Sequence, residues 1–341
     1  MSLSVNDIEP GDVLLFHGHG LTSWAIRKLD GTRVNHAAIA LAGGMLGEAA
    51  GSGLRQFDIA RAVAGSDFTV VRRLPDQDLA PVLARANNYL DGSVPYAYQQ
   101  IVLLALLTTT RKVPLPRFAR RLLRSVLDHA AAALNEMVDS GSRTMICSEY
   151  VYRCYDEAGD AVPDVFSLDI LGHGGPLSFG ETAMPPGGEE ASFLQWALSQ
   201  PPEAVESAGS QAFGVGAAPT ATVDPAQAEE QLAPLIAEYA MRVDPTDPEV
   251  LAMAPIAFGT PTEAEQPEPT DEEILTSMAS FSLALEQHQA EKGEGASAEF
   301  GVGERVASGA LKGLIHVTVD PNFVTPGDLL NTPTLKDIGE L

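Results

Sequence analysis

The apolar pattern changes period near residue 75, and this change restricts the fold class more than any other feature of the sequence. Residues 10–75 carry short apolar or alternating runs broken by glycine pairs, at Asp12–Phe16, Val34–Leu41, Met45–Glu48 and Phe68–Leu74. Such runs read as β-strands. Residues 79–90, 97–109, 117–137 and 147–158 then repeat apolar side chains at three- and four-residue intervals, the spacing of one helix face. Strands followed by helices predict an α+β fold, an antiparallel sheet packed on helices. Gly159, just past the last periodic residue, reads as a helix stop.

From about residue 165 the texture shifts to Pro, Gly, Ala, Glu and Ser, with breaks at Pro185-Pro186, Pro201-Pro202 and between Pro261 and Pro269. Helical spacing returns at Ala226–Val243 and Asp271–Lys292, the second opening with the capping-box pattern Thr270-Asp271-Glu272-Glu273. The net charge of −25 follows this boundary: residues 1–154 hold 16 basic and 14 acidic side chains, residues 155–341 hold 5 and 32. A half with that surplus of carboxylates repels phosphate, so no nucleic-acid partner is expected. The longest apolar run, Ile101 to Leu107, is too short to cross a bilayer, and the opening residues lack the basic flank and apolar stretch of a secretory signal. A cytoplasmic chain is expected, with a Sec-independent export route left open.

Nucleotide-binding and serine-hydrolase signatures are missing: there is no G-x-x-x-x-G-K-[ST], no G-x-S-x-G, and no G-x-G-x-x-G after a strand. Cys147 and His36 remain. Cys147 opens the helical run 147–158, where unpaired N–H groups and the positive end of the helix dipole favour thiolate over thiol. A small buried hydrophobe is the alternative for any single cysteine. Cys154 lies two turns on, beside Tyr150 and Val151, and is assigned to the core. Along one helix the two are about 10 Å apart, beyond disulfide reach. His36 sits in the run Val34–Leu41, and Glu48 in the next strand. A two-residue Gly43-Gly44 turn would set Glu48 opposite Ile39 and aim the carboxylate away from His36. A three-residue Ala42-Gly43-Gly44 loop with a left-handed glycine would set Glu48 opposite Ala38 and make His36 its diagonal neighbour on one face. A Cys–His–Glu triad requires the second register. A satisfied core histidine is the alternative.

Four segments in order resemble the NlpC/P60 superfamily of papain-like cysteine peptidases in a circularly permuted arrangement: Pro10-Gly11-Asp12-Val13-Leu14, Asn35-His36-Ala37-Ala38-Ile39, Pro95-Tyr96-Ala97-Tyr98 and Ile146-Cys147-Ser148-Glu149-Tyr150. With Glu48-Ala49 after the histidine strand, the order looks like the YaeF/YiiX-type permuted papain-like amidases, and more distantly like the lecithin:retinol acyltransferase group. The resemblance implies Cys147 as nucleophile, His36 as base, Glu48 as the group orienting it, and Tyr96 as a residue lining the site. Asp12 reads as a strand-entry residue rather than a catalyst. The run Phe323–Leu329, containing Thr325-Pro326-Gly327-Asp328, looks like the segment that closes such domains. The division expected is therefore a catalytic core over 1–164, an acidic insertion with a few helices over 165–318, and a closing segment over 319–341.

The function expected is cysteine-dependent hydrolysis or acyl transfer at an amide or ester bond of a peptide, peptidoglycan-like or lipid substrate. The alternative is a non-catalytic interaction module that displays the acidic 165–318 region to a protein partner. Residues 106–124 join an apolar helix to Arg111, Lys112, Arg117, Arg120, Arg121 and Arg124. This stretch reads as a surface for anionic lipid, or as a solvated face or docking site for the acidic region of the same molecule. His17-Gly18-His19 reads as a substrate-facing loop, and no metal or cofactor is expected.

Overall fold

A computed structural model of the chain describes residues 3–50, 53–91, 99–110, 117–139, 145–158, 165–170, 196–197, 199–214, 225–257, 268–291 and 324–341. In chain order the main elements are β1 (Val13–Phe16), α1 (Leu21–Asp30), β2 (His36–Ala40), β3 (Met45–Ala50), β4 (Gly53–Asp58), α2 (Ile59–Ala64), β5 (Thr69–Arg73), α3 (Ala80–Asp91), α4 (Gln99–Thr110), α5 (Arg120–Asp139), α6 (Cys147–Asp156), α7 (Pro202–Gly214), α8 (Pro225–Val243), α9 (Pro248–Ala257), α10 (Asp271–Glu291), α11 (Pro326–Asn331) and β6 (Lys336–Glu340). The fold is α+β. The chain divides into two compact units, one of residues 1–100, 144–173 and 321–341, the other of residues 101–143 and 174–320. The helices between Ile101 and Arg143 thus group with the acidic stretch rather than with the sheet.

The first unit is built on a six-stranded antiparallel sheet in the order β4-β3-β2-β1-β5-β6. Its central register is the one the triad requires. The β2–β3 loop is Ala42–Gly44, Gly43 and Gly44 both have φ of 75°, and Ala38 stands opposite Glu48. Only glycine takes that backbone twice in succession without steric cost. One sheet face carries a core of Leu14, Phe16, Ala38, Ala40 and Leu46, closed by Ile59 of α2. Gly47 points to the other face, where α6 and α3 pack: a Cβ there would lie 2.5 Å from the Tyr150 Oη and 3.3 Å from a Leu90 methyl. Tyr150 and Tyr155 are fully buried on α6, and their hydroxyls donate to the carbonyls of Ala86 and Gly11. Burying the rings supplies apolar contact area, while these bonds remove the desolvation penalty of the hydroxyls.

Two stretches within 10–75 that the strand reading passed over are helices. In α1 the apolar residues Trp24, Ala25, Ile26 and Leu29 are buried, and Gly31 ends the helix at φ 67°. Glycines on both flanks, Gly20 and Gly31, mark the boundaries. Asp12 is fully buried at the entry of β1. Its carboxylate accepts the Glu9 N–H at 2.8 Å and two bonds from Arg73 at 2.6 and 2.7 Å, a structural role.

The last described residues belong to the first unit. The Ser148 hydroxyl donates to the Val324 carbonyl at 2.5 Å, the Thr325 hydroxyl and Gly327 N–H donate to the buried carboxylate of Asp30 at 3.0 and 2.9 Å, and β6 pairs with β5. Arg72 adds bonds to the carbonyls of Leu330, Thr332 and Leu335. Thr325 and Asp328 form a reciprocal cap on α11, so its amide donors are satisfied before it docks.

In the second unit α10 packs along α5 and α7, α5 also meets α8, and α8 meets α9. The capping box expected at the start of α10 is present: the Thr270 N–H donates to Glu273 at 2.8 Å and the Glu273 N–H to the Thr270 hydroxyl at 3.2 Å. On α5, Leu122, Leu123, Val126 and Leu127 are buried. Arg120, Arg121 and Arg124 form ion pairs with Asp271, Glu238 and Glu273 respectively. Of the two readings of 106–124, these three arginines match docking of the chain's own acidic residues. Residues 111–116 lie outside the described residues. No described helix is long and apolar enough to cross a membrane. The expected stop at Gly159 falls outside the described residues.

Candidate active site

Cys147 occupies the first residue of α6, after Ile146 in extended conformation. The Glu149 carboxylate accepts the Ile146 N–H at 3.2 Å and, through its other oxygen, the Arg153 Nε–H at 2.9 Å. Glu149 and Arg153 are both buried, so this pair fixes the first turn of the helix in a setting that screens charge poorly. The sulfur is 3% exposed with its residue, accepts backbone N–H bonds from Ala37 and Ser148, and hydrogen-bonds to His36. The Ala37 bond puts it at the start of β2, next to the ring that begins the strand.

His36 Nε2 donates to Glu48 Oε2 at 2.8 Å, which leaves Nδ1 for the sulfur. Its side chain is 22% exposed against 7% for Glu48. The Phe16 ring, directly across the β1–β2 ladder, lies 5.8 Å from the imidazole centroid and bounds its movement. Glu48 Oε1 accepts two bonds from Arg55 of β4, from Nε at 2.8 Å and Nη2 at 2.7 Å.

These contacts set the charges. Burial alone would lower the basicity of His36, but the negative sulfur beside it, its hydrogen bond to that sulfur, and Glu48 push it up to about 10. Burial alone would raise the Cys147 thiol; the charge of His36, its hydrogen bond, and the N–H groups of Ala37 and Ser148 bring it below the ordinary thiol range. Burial also opposes ionisation of Glu48, and the bonds from His36 and Arg55 hold it below its ordinary value. The arrangement favours a thiolate–imidazolium pair backed by a carboxylate, which can attack an electrophilic carbon and then return a proton.

Cys154 is a different case: fully buried, it is held strongly toward the neutral thiol by burial. Both cysteines are free. His17 and His19 converge on Asp67, each Nε2 3.6 Å from a different carboxylate oxygen, and His17 Nδ1 donates to the Arg33 carbonyl at 2.8 Å. The intervening Gly18 is anchored by its N–H to Asn35 at 2.7 Å. Among the described residues no group of three or more His, Cys, Asp or Glu is disposed to hold a metal ion. Tyr96 lies outside the described residues. Arg55 escaped the sequence reading because β4, Gly-Leu-Arg-Gln-Phe-Asp, is a largely polar edge strand. Recognising a second hairpin around Ala50–Gly53 would have set Arg55 opposite Glu48, where it stands.

Comparison with curated proteins finds similarity to "Probable lipoprotein peptidase YaeF" of Escherichia coli (strain K12), 29% identical over 162 residues. The match takes in 46% of this chain and 58% of that protein, so the chain spans little more than half the length of the curated relative it matches. No family model matches. No solved structure matches.

Proposed function

We propose that the chain is a cysteine-dependent hydrolase of amide bonds, with a papain-like core in circularly permuted order and a triad of Cys147, His36 and Glu48. The observation that carries the reading is the continuous hydrogen-bonded relay from the sulfur at the start of α6 through the His36 ring to the Glu48 carboxylate. In the reaction the thiolate adds to the carbonyl carbon. Negative charge then gathers on the carbonyl oxygen beside the first turn of α6, where the Cys147 N–H and the positive end of the helix meet it. His36 gives its proton to the departing amine, and a thioester to Cys147 remains. A water molecule, deprotonated by His36, adds to the thioester; its collapse releases the acid and restores the thiolate–imidazolium pair. Glu48 holds the ring and stabilises its cationic form throughout.

Similarity to a protein whose name describes a peptidase favours an amide over an ester bond. His17 and His19 are engaged with Asp67 and carry no part of the proposal. Because Cys147 is nearly covered, a small reagent is the right probe: iodoacetamide at pH 6 labels Cys147 and spares Cys154. Cleavage of a mixed peptide pool is lost in Cys147→Ala and in His36→Ala. A Cys147→Ala protein that hydrolyses the pool at the wild-type rate overturns the proposal.

A further inference from the structure

The glutamate of the relay is itself held. Glu48 divides its two oxygens: Oε2 takes the His36 Nε2–H, and Oε1 takes both the Nε–H and an Nη2–H of Arg55. Arg55 stands directly opposite Glu48 in the β3–β4 ladder, and its guanidinium rests on the Phe57 ring at 4.8 Å. Arg61 of α2 reaches the same ring, at 5.5 Å. Among the described residues the charged or titratable groups on Glu48 are His36 of β2 and Arg55 of β4, with Cys147 of α6 beyond His36. Glutamate reaches His36 through three rotatable bonds, so a carboxylate held only by the imidazole can swing out of line. A second anchor on the other oxygen removes that freedom.

Arg55 could act on His36 in two opposite ways. Its charge offsets that of Glu48 and so disfavours the imidazolium; its grip keeps the carboxylate in place and so favours it. Arg55 is 43% exposed, which lets water screen the first effect. The second depends on geometry and is not screened. We infer that Arg55 is a positioning residue of the active site, which locks Glu48 onto His36 and through it sustains the thiolate of Cys147. The inference rests on the triad proposed above.

The test follows the Cys147 thiolate in the full-length chain in two ways: alkylation by iodoacetamide against pH, and thiolate absorbance near 240 nm with Cys147→Ser as the blank. Arg55→Gln is expected to move the thiol titration up by about one unit, so that alkylation on the rising limb of the pH profile slows about tenfold. Glu48→Gln should give a similar loss, and Arg55→Gln added to Glu48→Gln should give no further loss, because Arg55 then has no carboxylate to hold. Arg55→Lys, which keeps one bond and the charge, should recover part of the rate. A purely structural role predicts the same loss with or without Glu48, and a purely electrostatic one predicts faster alkylation in Arg55→Gln; either result, or no change, overturns the inference. If the wild-type thiol instead titrates in the ordinary range and ignores His36→Ala, it is the triad that fails.

Discussion

At the residue scale, the pH behaviour of the relay follows from the direction of each shift. His36 binds its proton more tightly in the folded chain, about 10 against an ordinary value near 6.5. Its contribution to stability is therefore complete below about 6.5 and is lost as pH rises through about 10. Cys147 is shifted the other way, so its contribution is present above the ordinary thiol range and is lost as pH falls through its lowered folded value. The two shifts share one interaction and are not added. The activity proposed should accordingly rise as Cys147 ionises well below the usual thiol range and fall near pH 10, where His36 no longer holds a proton to give. His36→Ala should move the thiolate absorbance titration of Cys147 up toward about 8.5 or beyond, since burial is then opposed only by the N–H groups of Ala37 and Ser148. An unchanged titration would mean that the ring does not govern the sulfur.

Among elements, β3 and α6 meet closely at Gly47. Gly47→Ala places a methyl 2.5 Å from the Tyr150 Oη, and the tyrosine is fully buried with no room to retreat. A cost of about 1–3 kcal/mol is expected, the range for overpacking a filled core. Urea denaturation should show it as a lower midpoint at constant slope, and an unshifted midpoint would show that the interface can open. The same hairpin shows what the sequence makes legible. Glycines at 43 and 44 and the alternation on either side narrowed the hairpin to two registers, and the structure adopts the one with Ala38 opposite Glu48; the choice matters because one residue of slip reverses every side chain. Helices α3, α4, α5, α6, α8 and α10 were equally readable, since apolar residues recur there at three- and four-residue intervals. Elements β4 and β6 were not. Both are short, polar edge strands of the sheet, Gly53–Asp58 and Lys336–Glu340, and neither carries the apolar alternation that betrays a half-buried strand. Within the site, Cys147, His36 and Glu48 were named as candidates from their settings in the sequence and from the family resemblance, and the structure brings them together. Arg55 was hidden because its place depends on β4.

For the whole molecule, the chain's two tryptophans report separately, Trp24 from the first unit and Trp196 from the second. Charge makes the second unit the more interesting. Its residues, 101–143 and 174–320, hold 11 basic and 27 acidic side chains, so it folds against its own repulsion. Arg120 offsets part of that repulsion through its ion pair with Asp271, and its guanidinium also rests 5.5 Å from the centre of the Trp196 ring. An exposed ion pair contributes at most about 1 kcal/mol, and a cation on an aromatic face adds a comparable amount. Truncating the two partners should therefore be unequal. Arg120→Ala loses the pair and the ring contact and leaves Asp271 in a negative field. Asp271→Ala loses the pair and favourable charge at the start of α10, yet relieves repulsion. In urea denaturation followed by Trp196 fluorescence, Arg120→Ala should lower the midpoint clearly more than Asp271→Ala, and the double variant should resemble Arg120→Ala alone. Equal losses would mean that the pair itself, rather than the unit's surplus of negative charge, decides what Arg120 contributes.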